Sequence, residues 1–142
     1  MSRIRGRNTK PELVLRRELH ARGLRFRLHC KELPGKPDLV FPRWKAVILI
    51  HGCFWHGHGC PMFKRPATRG NFWSTKIARN QERDREAFTS LRAAGWRVLV
   101  VWECALRGPA RRPIDDVTSR CTDFLKDQEQ GESRISGRWD TA

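Results

Sequence analysis

The period of apolar and polar positions changes several times along the chain, and each change predicts an element. Residues 46–50 are apolar without interruption and predict a strand buried on both faces. Residues 96–102 predict a second such strand, which runs into Glu103 and Cys104. Asp38-Leu39-Val40-Phe41 predicts a third, set between the turn Leu33-Pro34-Gly35-Lys36-Pro37 and Pro42, and residues 25–29 a short one before it. Helical spacing takes over elsewhere. Thr9 can cap a helix whose first turn tolerates Pro11 and places Glu12 as in a capping box. Val14, Leu15 and Leu19 then face inward, and Gly23 stops the helix after about Arg22. A second helix is predicted over residues 75–94, with Ile77, Phe88 and Leu91 as its stripe and Gly95 as its stop, and a last one over 114–126. Helices alternating with apolar strands predict an α/β fold, one sheet covered by helices.

Asn80, Gln81 and Asp84 break the stripe of the second helix at helical spacing. They mark either a wet, functional end of the helix or one that emerges into solvent. Residues 127–142 are polar and predict a loose tail behind a single domain over 1–126.

Between the strand at 46–50 and the second helix lies a long irregular segment, from Gly52 to about Phe72, of a length that is usually functional. Its first part, residues 51–60, holds three of the chain's five histidines and two of its five cysteines, with Phe54 and Trp55 in the middle. Cys53, His58 and Cys60 offer two thiolates and an imidazole, the donors zinc prefers, and the glycines at 52, 57 and 59 let the backbone fold round an ion. A fourth ligand must come from elsewhere. Cys104 is the first choice, because its strand and that of residues 46–50 can end on one edge of a parallel pair; Cys121 and Cys30 are the alternatives. His51 or His56 remains for proton transfer. Asp38, at the head of the neighbouring strand, can hold Mg²⁺.

Charge adds a partner to this chemistry. The 142 residues carry 29 Lys+Arg against 15 Asp+Glu, a formal charge of +14, which attracts polyanions and nucleic acid first among them. Lys64, Arg65, Arg69, Lys76 and Arg79 surround the aromatic residues as phosphate contacts. Phe54, Trp55 and Trp73 can wedge between base pairs, with Phe72 as packing. No apolar run approaches the roughly 18 residues of a membrane span, and the first residues lack a signal-peptide core, so a cytoplasmic protein with reduced cysteines is expected.

PGKPDLVF, VILIHGCFWHGHGC, FKRPATRGNFW, KIARNQERDR and GWRVLVVWECALRG, in this order, resemble the very-short-patch mismatch repair endonucleases of bacteria over about residues 1–108. The resemblance implies a restriction-endonuclease-like mixed sheet flanked by helices, a structural zinc, and a Mg²⁺-dependent nick 5′ to the thymine of a T·G mismatch in double-stranded DNA. It makes Asp38 the Mg²⁺ ligand with the backbone carbonyl of Ile50, His56 the general base, His51 a second active-site histidine and Glu12 a supporting carboxylate. Cys53, His58, Cys60 and Cys104 match the zinc set, and Phe54, Trp55 and Trp73 the intercalating aromatics. Asn80 and Asp84 match polar positions near the cleft, and Met1 and Ile4 apolar residues near the end of a DNA-embracing helix. That helix is already under way at Met1, so either a misplaced start codon or a less complete grip on DNA is expected. A monomer is expected, with mismatch-repair proteins as possible partners. Two other functions fit the same residues: a nuclease of this fold with another DNA target, and a zinc DNA-binding module without catalysis.

Overall fold

Five strands form one mixed sheet in sequence order, in a computed structural model that describes residues 10–53 and 70–138. The first helix, α1 (Lys10–Ala21), is followed by β1 (Arg27–Leu28), β2 (Leu39–Phe41) and β3 (Ala46–His51). Helix α2 (Gly70–Ala93) leads to β4 (Arg97–Trp102), the single turn α3 (Glu103–Leu106), α4 (Ile114–Lys126) and β5 (Glu132–Ile135). Strands β1 to β3 are antiparallel, whereas β3, β4 and β5 run parallel. The expected mixed α/β sheet flanked by helices is therefore present.

Alternation along the strands sorts the core onto two faces. Leu39, Phe41, Ala46, Ile48, Leu99 and Val101 pack with Leu15 and Leu19 of α1 and Val117, Cys121, Phe124 and Leu125 of α4. Val40, Val47, Leu49, Val98 and Val100 line the other face with Leu91 of α2. Each of these large side chains contributes roughly 1.5–3 kcal/mol on leaving water, so both faces are needed to hold the sheet. The central strands β3 and β4 are accordingly buried along nearly their whole length.

Arg97 is the polar exception on β4, buried although charged. Its guanidinium donates to the carbonyls of Phe124 and Leu125 at the end of α4, to those of Asp127 and Gln130 beyond, and to that of Trp44 before β3. A helix end leaves its last carbonyls without intrahelical donors, and one buried arginine supplies them here while fastening α4 to the sheet.

Four expectations differ from the structure. Strand β1 is shorter than residues 25–29, because both its side chains are exposed on the sheet edge and His29 turns left-handed at φ 47°. Helix α2 begins at Gly70 rather than residue 75; no glycine or proline interrupts the chain from there to Gly95, so the helix takes in Phe72 and Trp73. The strand expected from residue 96 starts at Arg97, since Trp96 still closes the turn after α2 by donating its N–H to the Leu91 carbonyl. The segment after Lys126 is no loose tail throughout. An edge strand needs one buried side chain more than an apolar sequence, and Ile135 supplies it to β5, which pairs with β4 from Glu132 to Ile135. Among the described residues no helix is long and apolar enough to cross a membrane.

Candidate active site and metal centre

Antiparallel pairing of β2 with β3 sets Leu39 opposite Ile48, so Asp38, one residue before β2, reaches the end of β3. There its Oδ2 accepts the Ile50 N–H at 2.7 Å. The first turn of α1 brings Glu12 to the same point and buries it to 1% exposure, among leucines otherwise. A capping role would leave a carboxylate in solvent; this one faces inward.

His29 joins them, and the sequence reading assigned it no role. Its Nε2 lies 3.3 Å from Glu12 Oε2, and its Nδ1 lies 3.8 Å from Asp38 Oδ1. One donor atom from each of Glu12, His29 and Asp38 falls within 4.8 Å of the other two. The backbone holds this arrangement: the His29 N–H donates to the Asp38 carbonyl at 3.0 Å, and the Cys30 N–H to that of Pro37 at 3.3 Å. The available signal was positional. A histidine closing one short strand, before a turn that returns to Asp38, must come to lie beside it in an antiparallel pair.

The charge of Glu12 bears on the proton affinity of Asp38. Burial pushes the Asp38 carboxyl up to about 7, with the Glu12 charge adding to it, while the Ile50 N–H and Arg16 work in the opposite direction. Arg16 stands 3.6 Å from Glu12 Oε2. A divalent cation is the natural counter-charge for such a site, and two carboxylate oxygens with an imidazole nitrogen are donors that fit one.

His51 ends β3 in register with Trp102, whose ring it meets edge-on at 5.2 Å and 76°. A second centre lies on this β4 side. Cys53 and Cys104, both fully buried, pack in one small cluster against Trp102. The parallel pairing of β3 with β4 brings them together, as the sequence reading expected. The Gly137 N–H donates to Cys104 Sγ at 3.2 Å, and the Cys53 N–H to Glu103 Oε1 at 3.2 Å. Glu103 in turn pairs with Arg107 at 2.8 Å. Two adjoining thiols, one already receiving a backbone N–H, are donors that fit zinc. The alternatives lie elsewhere. Cys121 sits in the α4 core, where burial pushes its thiol up to about 12, and Cys30 donates to Glu32 at 3.0 Å.

Helix α2 carries a basic groove lined by Phe72, Thr75, Lys76, Arg79, Asn80 and Arg83. Phe72, expected as packing, is 45% exposed and meets Trp73 edge-on at 5.1 Å, because the early start of α2 turns it away from the sheet. Trp73, Asn80, Gln81 and Asp84 are half-buried along the same helix. Met1, Ile4, Phe54, Trp55, His56, His58, Cys60, Lys64, Arg65 and Arg69, each expected at the site, lie outside the described residues.

Comparison with known proteins identifies the family of the chain. Residues 1–62 match the family of DNA mismatch endonuclease Vsr. The chain is 46% identical over 125 residues to the DNA mismatch endonuclease Vsr of Escherichia coli strain K12, covering 88% of this chain and 80% of that one. It is 52% identical over 106 residues to the type II nicking enzyme V.XorIIP of Xanthomonas oryzae pv. oryzae, covering 75% and 78%. A 40% identity over 137 residues relates it to the type II nicking enzyme V.NaeI of Lentzea aerocolonigenes, covering 92% and 77%. The chain belongs to the Vsr family of DNA endonucleases.

Proposed function

We propose that this protein nicks duplex DNA 5′ to the thymine of a T·G mismatch left by deamination of 5-methylcytosine, and so starts very-short-patch repair. The observation that carries the reading is the meeting of Asp38, Glu12 and the Ile50 backbone at the end of β3. Asp38 and the Ile50 carbonyl hold Mg²⁺; an extended residue's N–H and carbonyl point to the same edge, and the Ile50 N–H already faces Asp38. Bound there, the ion stabilises charge on the phosphate and on the leaving 3′ oxygen. His56 takes the proton from the attacking water, while His51 and Glu12 orient the groups around it.

Cys53, His58, Cys60 and Cys104 hold a structural zinc that keeps the loop after β3 in place. Phe54, Trp55 and Trp73 wedge the mismatch open, which costs less at a weakly stacked pair than at a matched one. Lys76, Arg79 and Asn80 contact the DNA backbone from the groove on α2. The protein works as a monomer in the cytoplasm, alongside mismatch-repair proteins.

Nicking of a T·G duplex by wild type, Asp38→Ala and His56→Ala in Mg²⁺ tests the reading. Loss of activity in both variants is expected, and equal nicking by all three overturns it. The names of several relatives, type II nicking enzymes, favour one second reading, a nick directed by another DNA target. Cleavage of a fully paired duplex as fast as the T·G substrate would decide for it.

A further inference from the structure

We propose that Glu12, His29 and Asp38 together form a transition-metal site, in which the imidazole of His29 is a direct ligand and Mn²⁺ binds more tightly than Mg²⁺. The inference rests on Asp38 being the cation ligand proposed above, and adds to it a nitrogen donor and a preference among cations.

Geometry is the first support. Bonds of about 2.1 Å place two donors about 3.0 Å apart at right angles on one ion and about 4.2 Å apart across it. The 3.3 Å between His29 Nε2 and Glu12 Oε2 matches the first separation. All three residues offer donors within 4.8 Å of one another, about 0.6 Å beyond the span of opposite ligands on one ion. The Ile50 N–H engages Asp38 Oδ2, which leaves Oδ1, 3.8 Å from His29 Nδ1, as the oxygen open to a cation.

The backbone is the second support. His29 is one of three described non-glycine residues at positive φ, and that conformation costs about 1–2 kcal/mol. It is held by two backbone hydrogen bonds that continue the pairing of β1 with β2 past Leu28. The same bonds fix the backbone from which the ring reaches both carboxylates. Access is the third support: the side chains of His29 and Asp38 keep 15% and 13% exposure, whereas Glu12 closes the floor at 1%.

Donor chemistry then chooses the ion. Mg²⁺ takes oxygen ligands and water, and gains little from an imidazole. Mn²⁺ shares these oxygen ligands and, as a first-row transition ion, gains more from a nitrogen donor than Mg²⁺ does, so an O,N,O set favours it of the two. Removing an outer partner of a metal ligand costs 10–100-fold in affinity, so loss of a direct ligand is expected to weaken Mn²⁺ binding about tenfold or more.

Pulsed electron paramagnetic resonance of Mn²⁺ on the full-length, zinc-loaded protein without DNA reads the nitrogen directly. Wild type is expected to show ¹⁴N coupling. His29→Asn, which tolerates the left-handed backbone, is expected to lose that coupling and to bind Mn²⁺ about tenfold more weakly, with Mg²⁺ affinity unchanged. His51→Asn is expected to keep the coupling. Absence of ¹⁴N coupling in the wild type overturns the proposal whatever the variants do, and means that the imidazole only bridges two carboxylates. Unchanged Mn²⁺ affinity in a folded His29→Asn, or loss of the coupling in His51→Asn instead, also overturns it. None of these readouts uses DNA, so their failure leaves the nicking assignment standing. Conversely, undiminished nicking by Asp38→Ala removes that assignment without touching the spectrum.

Discussion

Replacing Asp38 by asparagine is expected to stabilise the protein while abolishing its activity, and the gain should grow with pH in a defined window. The Asp38 carboxyl is displaced from 3.8 to about 7, chiefly by burial. The folded protein therefore keeps a proton between pH about 4 and 7 that the unfolded chain gives up. Stability from this proton is fully present below pH 4 and is lost as pH rises through 7. Each tenfold change in proton affinity is worth about 1.4 kcal/mol, so the ionised carboxylate costs the fold up to about 4 kcal/mol above pH 7. An asparagine keeps an oxygen for the Ile50 N–H and carries no charge, but it forgoes the stronger bond that N–H makes to a carboxylate. A net gain of about 2 kcal/mol remains, or about 6 °C in Tm for a domain of this size.

Thermal unfolding of the zinc-loaded protein, without added Mg²⁺ or Mn²⁺, measures the effect. The gap between Asp38→Asn and wild type should widen by about 2 kcal/mol from pH 5 to 7.5 and then level off. Adding a cation at about 100 times its Kd should return about 2.7 kcal/mol to the wild type, and nothing to the variant. A gap independent of pH, or a variant less stable than wild type at pH 7.5, refutes the reasoning.

Three further outcomes follow from the described contacts. Arg97→Met leaves the buried carbonyls of Phe124 and Leu125 without their donor, and should lower stability in urea by about 3 kcal/mol; a loss under 1 kcal/mol would show that α4 is held by its apolar face alone. Gly137→Ala sets a Cβ 2.6 Å from the Cys104 carbonyl oxygen and 2.9 Å from that of Ala110, backbone atoms that cannot yield cheaply. It should cost about 1–3 kcal/mol, read as a lower Tm, and an unchanged Tm counts against the close packing of this segment on Cys104. Lys76→Ala and Arg79→Ala should each reduce the slope of log K against log salt for DNA binding by about 0.9, and an unaltered slope removes that residue from the phosphate contacts.

How far the sequence spoke for this fold depended on where each signal lay. Strands β3 and β4 and helix α4 were legible because burial on both faces, or on one helical stripe, writes itself into consecutive residues. The pairing of Cys53 with Cys104 was legible too, since a parallel strand pair fixes which ends meet. His29 was not. Its signal is its position at the end of β1 before the turn back to Asp38, and its significance comes from Glu12 on α1, placed beside both by tertiary packing. Glu12 satisfies a local capping rule so well that its burial is legible only in the structure. Strand β5 stayed hidden for the opposite reason: Ile135 is the one strand residue it buries, within a polar stretch.

The placement of both centres follows from the change of direction within the sheet. Strand β3 is antiparallel to β2 and parallel to β4, so its C-terminal end has the beginning of β2 on one side and the end of β4 on the other. The first neighbour contributes Asp38, with His29 and Glu12 behind it; the second contributes Trp102 and Cys104. His51 stands at that end, against Trp102, and Cys53 follows two residues later. Any loop leaving β3 here starts between a carboxylate pocket and a thiol pair. Fixing one side by a metal therefore fixes the distance at which the loop's own residues can approach the other, and this coupling needs no long-range conformational change. On the proposed reading, loss of a zinc held at the thiol pair should impair nicking, whereas loss of the Asp38 cation should leave the fold, and the thiol pair, intact.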